Sequence, residues 1–271
     1  MIRALGLRPK RSLGQHFLVD LAAARQIAQI AIEPSANQGQ LRVLEVGAGT
    51  GVLTAVLAQT GADITAIEID RGLVRLLRSF DELAGVHIVE EDALNFDYDA
   101  FGGDRPWRVT GNLPYNIGTP LLLRWIQMEP GPELLVVMLQ KDVAERLAAR
   151  PATPAYGSLT LAVQYAMQVE PLFSLEPNAF YPPPKVRSTV VRLVRHSGPP
   201  VPTTNADFLL QVVRAAFAYR RKTLVNSLRL ALNVEPVRSA SALSALGLRP
   251  EVRGEELDLA QFAAFADAIQ R

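Results

Sequence analysis

Apolar residues recur at helical spacing from Asp20 to Ile32, and Asp20 stands where it can cap the first turn. A short apolar run, Leu41–Gly47 (LRVLEVG), then reads as a buried strand running into glycines. From there the pattern predicts a helix at Val52–Gln59, a strand at Asp63–Ile69, a helix at Gly72–Phe80 and strands at Val86–Glu90 and Trp107–Asn112. A helix at Thr119–Met128 and a strand at Glu133–Leu139 follow. Strands alternating with helices imply an α/β fold with a doubly wound, mainly parallel sheet. Two late strands, Gln168–Leu175 and Arg187–His196, flank a proline-rich turn (AFYPPPK) and are expected to close one sheet edge as an antiparallel pair. His196–Asn205 has three prolines and no apolar pattern, so it reads as a linker. The pattern is helical from Asp207 onward. Two domains are therefore expected, 1–200 and a small all-helical C-terminal domain at 201–271.

Composition narrows the chemistry. The 271 residues include no cysteine, which excludes a disulfide scaffold, a thiolate nucleophile and a cysteine-ligated zinc. The three histidines, His16, His87 and His196, are far apart, so no metal site is expected. Lys and Arg number 28 against 27 Asp and Glu, a net charge of +1 that neither demands nor forbids a nucleic-acid partner. The opening MIRALGLRPKRSLGQHF has no apolar run of signal-peptide kind, and no uncharged stretch reaches membrane-spanning length. The expectation is a cytoplasmic protein with no membrane partner.

Glu45-Val46-Gly47-Ala48-Gly49-Thr50-Gly51 follows a strand and opens a helix. A dinucleotide fingerprint would need glycine where Val52 stands, and no Gly-Lys-Ser/Thr follows for a phosphate loop. The spacing suits a ligand without a pyrophosphate. Glu68, ending the next strand, can accept from both ribose hydroxyls. Asp92, after the third strand, can accept from an adenine amino group. Each feature alone is bland, a tight turn or a solvated carboxylate. As an ordered set at successive strand ends they describe a site for S-adenosylmethionine, with Ile69 and Ala93 beside the two carboxylates.

The fourth strand ends in Asn112-Leu113-Pro114-Tyr115. Pro114 fixes φ and removes a donor, so the Leu113 carbonyl and the Asn112 side-chain oxygen can converge on one flat amino group. Tyr115 offers an aromatic face worth roughly 1–3 kcal/mol of base stacking. A strand-ending Asn-x-Pro turn is the plain alternative.

At this point Asn112–Tyr115, Glu45–Gly51 and Gln15-His16-Phe17-Leu18 together resemble the ribosomal RNA adenine dimethyltransferases, most closely the bacterial KsgA/RsmA family that acts on small-subunit (16S) RNA. Lys10–Asp20, Gly111–Pro120, Leu139–Arg146, Phe180–Leu193 and Phe217–Leu228 extend the resemblance across both expected domains. The resemblance implies a Rossmann-like class I methyltransferase. It would move methyl groups from S-adenosylmethionine to the exocyclic nitrogens of two adjacent adenosines in a hairpin loop near the RNA 3′ end, each twice. It further implies that Glu45, Gly47, Gly49 and Gly51 form the cofactor loop, and that Gln15, His16 and Leu18 cover the methionine end. Asn112, Leu113, Pro114 and Tyr115 would take the target base, with Asn112 also touching the cofactor and Phe180 as a second aromatic wall. Many family members have Asn where this chain has His16.

The target must be single-stranded or flipped for its nitrogen to be reached. RNA affinity is expected from three stretches with no acidic residue: 1–11 (Arg3, Arg8, Lys10, Arg11), 181–196 (Lys185, Arg187, Arg192, Arg195) and 214–229 (Arg214, Arg220, Arg221, Lys222, Arg229). Lys10, Arg11, Lys185, Arg187, Arg220, Arg221 and Lys222 are the candidate contacts, although charge runs are most often solvated faces. The partner implied is the small-subunit RNA of a pre-30S particle, met by a monomer. A large-subunit RNA methylase of the antibiotic-resistance type and a ribosome-assembly factor without catalysis are the rival readings.

Overall fold

A computed structural model describes residues 9–10, 13–33, 41–103, 105–219 and 221–270. The chain divides into two units, Met1–Ala144 with Val169–Arg195, and Glu145–Gln168 with His196–Arg271. The first begins with β1 (Phe17–Leu18), α1 (Leu21–Ala31), β2 (Arg42–Val46), α2 (Val52–Ala58), β3 (Asp63–Glu68), α3 (Arg71–Arg78) and β4 (His87–Glu90). It continues through α4 (Tyr98–Gly102), β5 (Trp107–Asn112), α5 (Gly118–Gln127) and β6 (Leu134–Gln140). After α6 (Lys141–Leu147) and α7 (Ser158–Ala166) come β7 (Met167–Leu175), β8 (Phe180–Tyr181) and β9 (Ser188–Arg195).

Seven strands form one sheet in the order β4-β3-β2-β5-β6-β9-β7. Pairs from β4 to β6 are parallel, and β9 runs antiparallel to β6 with Leu134 opposite Val194. The central strands are apolar on both faces because helices cover both: Val43, Leu44, Val109, Leu135 and Val137 are fully buried. Asp20 caps α1 as expected, its Oδ1 accepting from the Ala22 and Ala23 amides. The far end of α1 is held by Arg108 of β5. Its guanidinium donates to the Ala31 and Glu33 carbonyls and pairs with Glu133 at 2.7 Å, which lets a charged side chain sit inside the sheet.

The chain leaves β2 toward β3 on one side and reaches β5 on the other. That reversal opens a crevice at the carboxyl ends of β2 and β5, where doubly wound sheets place their ligands. The two strands approach closely there. Gly111, at φ 142°, lies so near β2 that a Cβ would collide with the Val46 carbonyl oxygen.

The second unit is helical, with α7, α8 (Ala206–Ala218), α9 (Leu224–Leu232), α10 (Pro236–Ala245) and α11 (Leu259–Gln270). Its boundary at His196 lies close to the expected one near 200, but the unit also takes in Glu145–Gln168, which a single cut along the chain had left with the sheet. The reason is packing. Ala149, Tyr156 and Leu161 share one apolar core with Leu209, Val212, Leu228, Phe262 and Phe265, and the Tyr156 hydroxyl donates to the Leu257 carbonyl at 2.8 Å.

Candidate active site

A cavity of about 240 Å³ occupies the crevice. It is walled by the loop after β2, the ends of β3, β4 and β5, and residues 13–18. Gly47, Gly49 and Gly51 all adopt positive φ, at 76°, 57° and 84°, which bends the loop sharply enough for the Gly47 and Ala48 amides to donate to the Ile67 carbonyl. A Cβ on Gly49 would press on the Phe17 ring at 3.0 Å, so glycine lets the loop pack against that ring.

Carboxylates line the cavity at Glu45, Glu68, Glu91 and Asp92, and among the described residues no Lys or Arg does. Glu68 Oε2 accepts from the Gly49 amide at 2.9 Å and Oε1 from the Asp70 amide at 2.8 Å. Burial pushes the Glu68 carboxyl up, and these backbone bonds work against it. Glu45 is 1% exposed, and burial pushes its pKa up to about 8, with the Glu68 charge raising it further. Glu45 Oε2 and Thr54 Oγ1 are both left without a hydrogen-bond partner. Asp92 Oδ1 accepts from the Leu94 amide at 2.9 Å. Ile69 and Ala93 also line the cavity, Ile69 being 46% exposed at its mouth.

The other wall is neutral. Asn112, Leu113, Pro114 and Tyr115 all line it. The Asn112 Nδ2 donates to the His16 carbonyl at 2.6 Å, which fixes the amide's orientation and leaves Oδ1 buried with no partner. The Pro114 carbonyl accepts from the Ile117 and Gly118 amides, so the tetrapeptide runs straight into α5. The Tyr115 hydroxyl bonds Ser188 Oγ at 3.1 Å, and the ring stacks against His16 at 5.5 Å. His16 Nδ1–H in turn donates to the Pro182 carbonyl at 2.7 Å.

Two expected members sit differently. Phe180 does not line the cavity. It is 2% exposed and packs with Leu18, Ile27 and Val190, because the antiparallel pair of β1 and β8 sets it opposite Leu18 and turns it into the apolar layer. The Lys10 ammonium, expected at RNA, lies 2.8 Å from Asp70 Oδ2, which also accepts from Gln15 Nε2 at 3.3 Å. Burial pushes the Asp70 carboxyl up, but Lys10, the Gly72 amide and Gln15 together hold it below its usual value. Gln15, His16 and Leu18 line the cavity. Asp70 and Gly111 were not anticipated. For Gly111 the signal was a glycine inside an apolar strand, which marks close backbone approach.

Comparison with known proteins now decides the family. A profile of the ribosomal RNA adenine dimethylase family matches residues 6–271. The chain belongs to this family. The ribosomal RNA small subunit methyltransferase A of Pelotomaculum thermopropionicum is 43% identical across 99% of this chain and 94% of its own length. That of Pseudomonas aeruginosa is 42% identical across 97% and 95%. Among solved structures, a dimethyladenosine transferase from Plasmodium falciparum superposes with a TM-score of 0.72 at 24% identity, covering 92% of this chain and 96% of that one. The 23S rRNA methyltransferase ErmE gives 0.71 at 24%, covering 94% and 100%. At that identity the two structures establish a shared fold.

In this dimethylase the basic candidates outside the cavity are mostly exposed. Lys185, Arg221 and Lys222 are exposed, and Arg187 is half-exposed and paired with Glu176 at 2.9 Å. Arg11 and Arg220 lie outside the described residues. Among the described residues no helix is long and apolar enough to cross a membrane, and no cluster of His, Asp and Glu is arranged to hold a metal ion.

Proposed function

We infer that this dimethylase moves methyl groups from S-adenosylmethionine to the exocyclic amino nitrogens of two adjacent adenosines, in a hairpin loop near the 3′ end of small-subunit (16S) ribosomal RNA. The products are dimethyladenosines, and the modification serves small-subunit biogenesis. The observation that carries the reading is the buried Asn112 Oδ1. It has no partner, its amide is fixed by the Nδ2 bond to the His16 carbonyl, and Asn112 itself lines a cavity whose opposite wall is rich in carboxylates. Relatives over 40% identical along nearly the whole chain carry the small-subunit name, which favours this substrate over large-subunit RNA.

The residues fit the cofactor. A wall of carboxylates, with no Lys or Arg lining the cavity among the described residues, repels a polyphosphate and welcomes a ligand with cationic groups. The orphaned Glu45 Oε2 leaves an acceptor for such a ligand. Glu68 and Ile69 would hold the ribose and one adenine face, Asp92 and Ala93 the adenine edge, and Glu45, Gln15, His16 and Leu18 the methionine end. The chemistry that ligand supplies is an electrophilic methyl group on a sulfonium.

The chain's own part is mostly positioning. Asn112 Oδ1 and the Leu113 carbonyl accept from the target amine and draw its nitrogen toward tetrahedral geometry, which frees its lone pair. Tyr115 stacks on the base. Aligning reacting groups in this way is worth about 7–11 kcal/mol of barrier. Phe180 supports the wall from beneath. Lys185, Arg187, Arg220, Arg221, Lys222 and Arg11 hold RNA phosphates, in a cytoplasmic monomer working on a pre-30S particle.

The test is incubation with labelled S-adenosylmethionine and small subunits lacking the modification, followed by mass-spectrometric mapping of nucleosides. Dimethyladenosine at two adjacent positions near the 3′ end is expected. Transfer to large-subunit RNA alone, or tight subunit binding with no transfer, would overturn the reading.

A further inference from the structure

We propose that Arg124 is a positioning residue that fixes the loop reading the cofactor's adenine, and thereby sets the preference for an adenosyl over an inosyl ligand. This rests on the cofactor reading given above.

The loop leaves β4 as Asp92-Ala93-Leu94, and all three residues line the cavity. Its carbonyls are pinned from outside. The Tyr98 hydroxyl donates to the Ala93 carbonyl at 2.8 Å, and Arg124 Nη1 donates to the Leu94 carbonyl at 2.7 Å. The two donors also hold each other, because the Arg124 guanidinium lies over the Tyr98 ring, 4.7 Å from its centre. Tyr98 is fully buried, stacked on Trp107 and set edge-on to Trp125. Tyr98 is therefore a rigid post, and Arg124 is the arm that reaches from it to the loop.

Leu94 is the point of leverage. Its amide donates to Asp92 Oδ1 and its carbonyl receives Arg124, so the arginine's grip reaches the carboxylate through one residue. Leu94 is itself 39% exposed, and besides Arg124 the turn is held by the Asp92 carbonyl, which accepts from the Asn95 and Phe96 amides. A carboxylate held in place accepts from an adenine amine and repels the carbonyl oxygen that an inosyl base presents there. Released from Arg124, the loop can turn Asp92 away and the repulsion fades. A guanidinium suits the task because its planar fork donates from one nitrogen while its face lies on an aromatic ring.

The measurement is calorimetric binding of S-adenosylhomocysteine and S-inosylhomocysteine to the full chain, without RNA. The wild type is expected to favour the adenosyl ligand by about tenfold or more, the worth of one charge-sensitive hydrogen bond. Arg124→Met keeps the aliphatic packing on Tyr98 and removes the donor. Its ratio is expected to fall to within about threefold with the melting temperature unchanged. Arg124→Lys, which keeps a cationic donor but loses the planar fork lying on Tyr98, is expected to recover part of the preference. Equal weakening of both ligands in Arg124→Met, with the ratio intact, would make the residue merely structural and overturn the inference. A failure of Arg124→Lys to recover any preference would do the same. A wild type that binds neither ligand would instead overturn the cofactor reading itself.

Discussion

The two walls of the cavity are built by different means. The wall at β2, β3 and β4 is made by backbone: three glycines at positive φ, and peptide amides that hold both oxygens of Glu68. It concentrates carboxylates in a buried place and keeps Glu45 protonated near neutral pH. The wall at β5 is neutral and is assembled from segments distant in sequence. Asn112 is set by His16, Tyr115 by Ser188, and His16 by Pro182. A charged wall made by backbone is ready for its ligand before that ligand arrives. A neutral wall made by side chains can be altered one residue at a time without disturbing its neighbour across the cleft.

The largest expected effect comes where the walls join. Gly111→Ala would force a Cβ into the Val46 carbonyl and should cost about 3 kcal/mol or more of unfolding free energy, weakening both walls together. Urea titration checks it.

Glu45→Gln sharpens the contrast through pH. The folded-state pKa of Glu45 stands above its unfolded value, so its contribution is fully present below about pH 4.5 and is lost as pH rises toward 8. The variant should lack that loss, so its stability relative to the wild type should rise as pH goes from 4.5 to 8, measured by thermal melts across pH. At neutral pH, where Glu45 is already protonated, the variant should change cofactor affinity little.

Glu68→Gln should weaken cofactor binding about tenfold while turnover at saturating cofactor stays close to wild type. Equal loss in both would mean that the walls are not separable. The smallest effect is expected at Lys10→Ala, less than about 1 kcal/mol, because its ion pair with Asp70 is half-exposed and salt-screened. The difference from wild type should shrink further in high salt.

The backbone-built wall was largely legible in the sequence. Glycine spacing and strand-end carboxylates are local signals, and Gly47, Glu68 and Asp92 stand where those signals put them. The side-chain wall was legible only as the tetrapeptide Asn112–Tyr115. Its supports are His16, just before β1, Pro182, just after β8, and Ser188 at the start of β9; β1 and β8 are strands of two residues each, too short to carry a period of two. The same pairing explains Phe180: an aromatic residue beside a turn looks alike whether it faces a ligand or a core, and only the register opposite Leu18 decides. Lys10 read as part of a basic run because Asp70, its partner, is remote in sequence. Residues 145–168 carried no boundary signal, and their place with the second unit follows from Tyr156 and Leu161 filling that core.

Asn112→Ala tests the separation of the walls most directly. Cofactor affinity by calorimetry and single-turnover methyl transfer to unmodified small subunits should be measured on one preparation. The expected result is affinity within about twofold of wild type and a transfer rate lower by about a hundredfold or more. Affinity and rate falling together by the same factor would contradict the assignment of Asn112 to the target base.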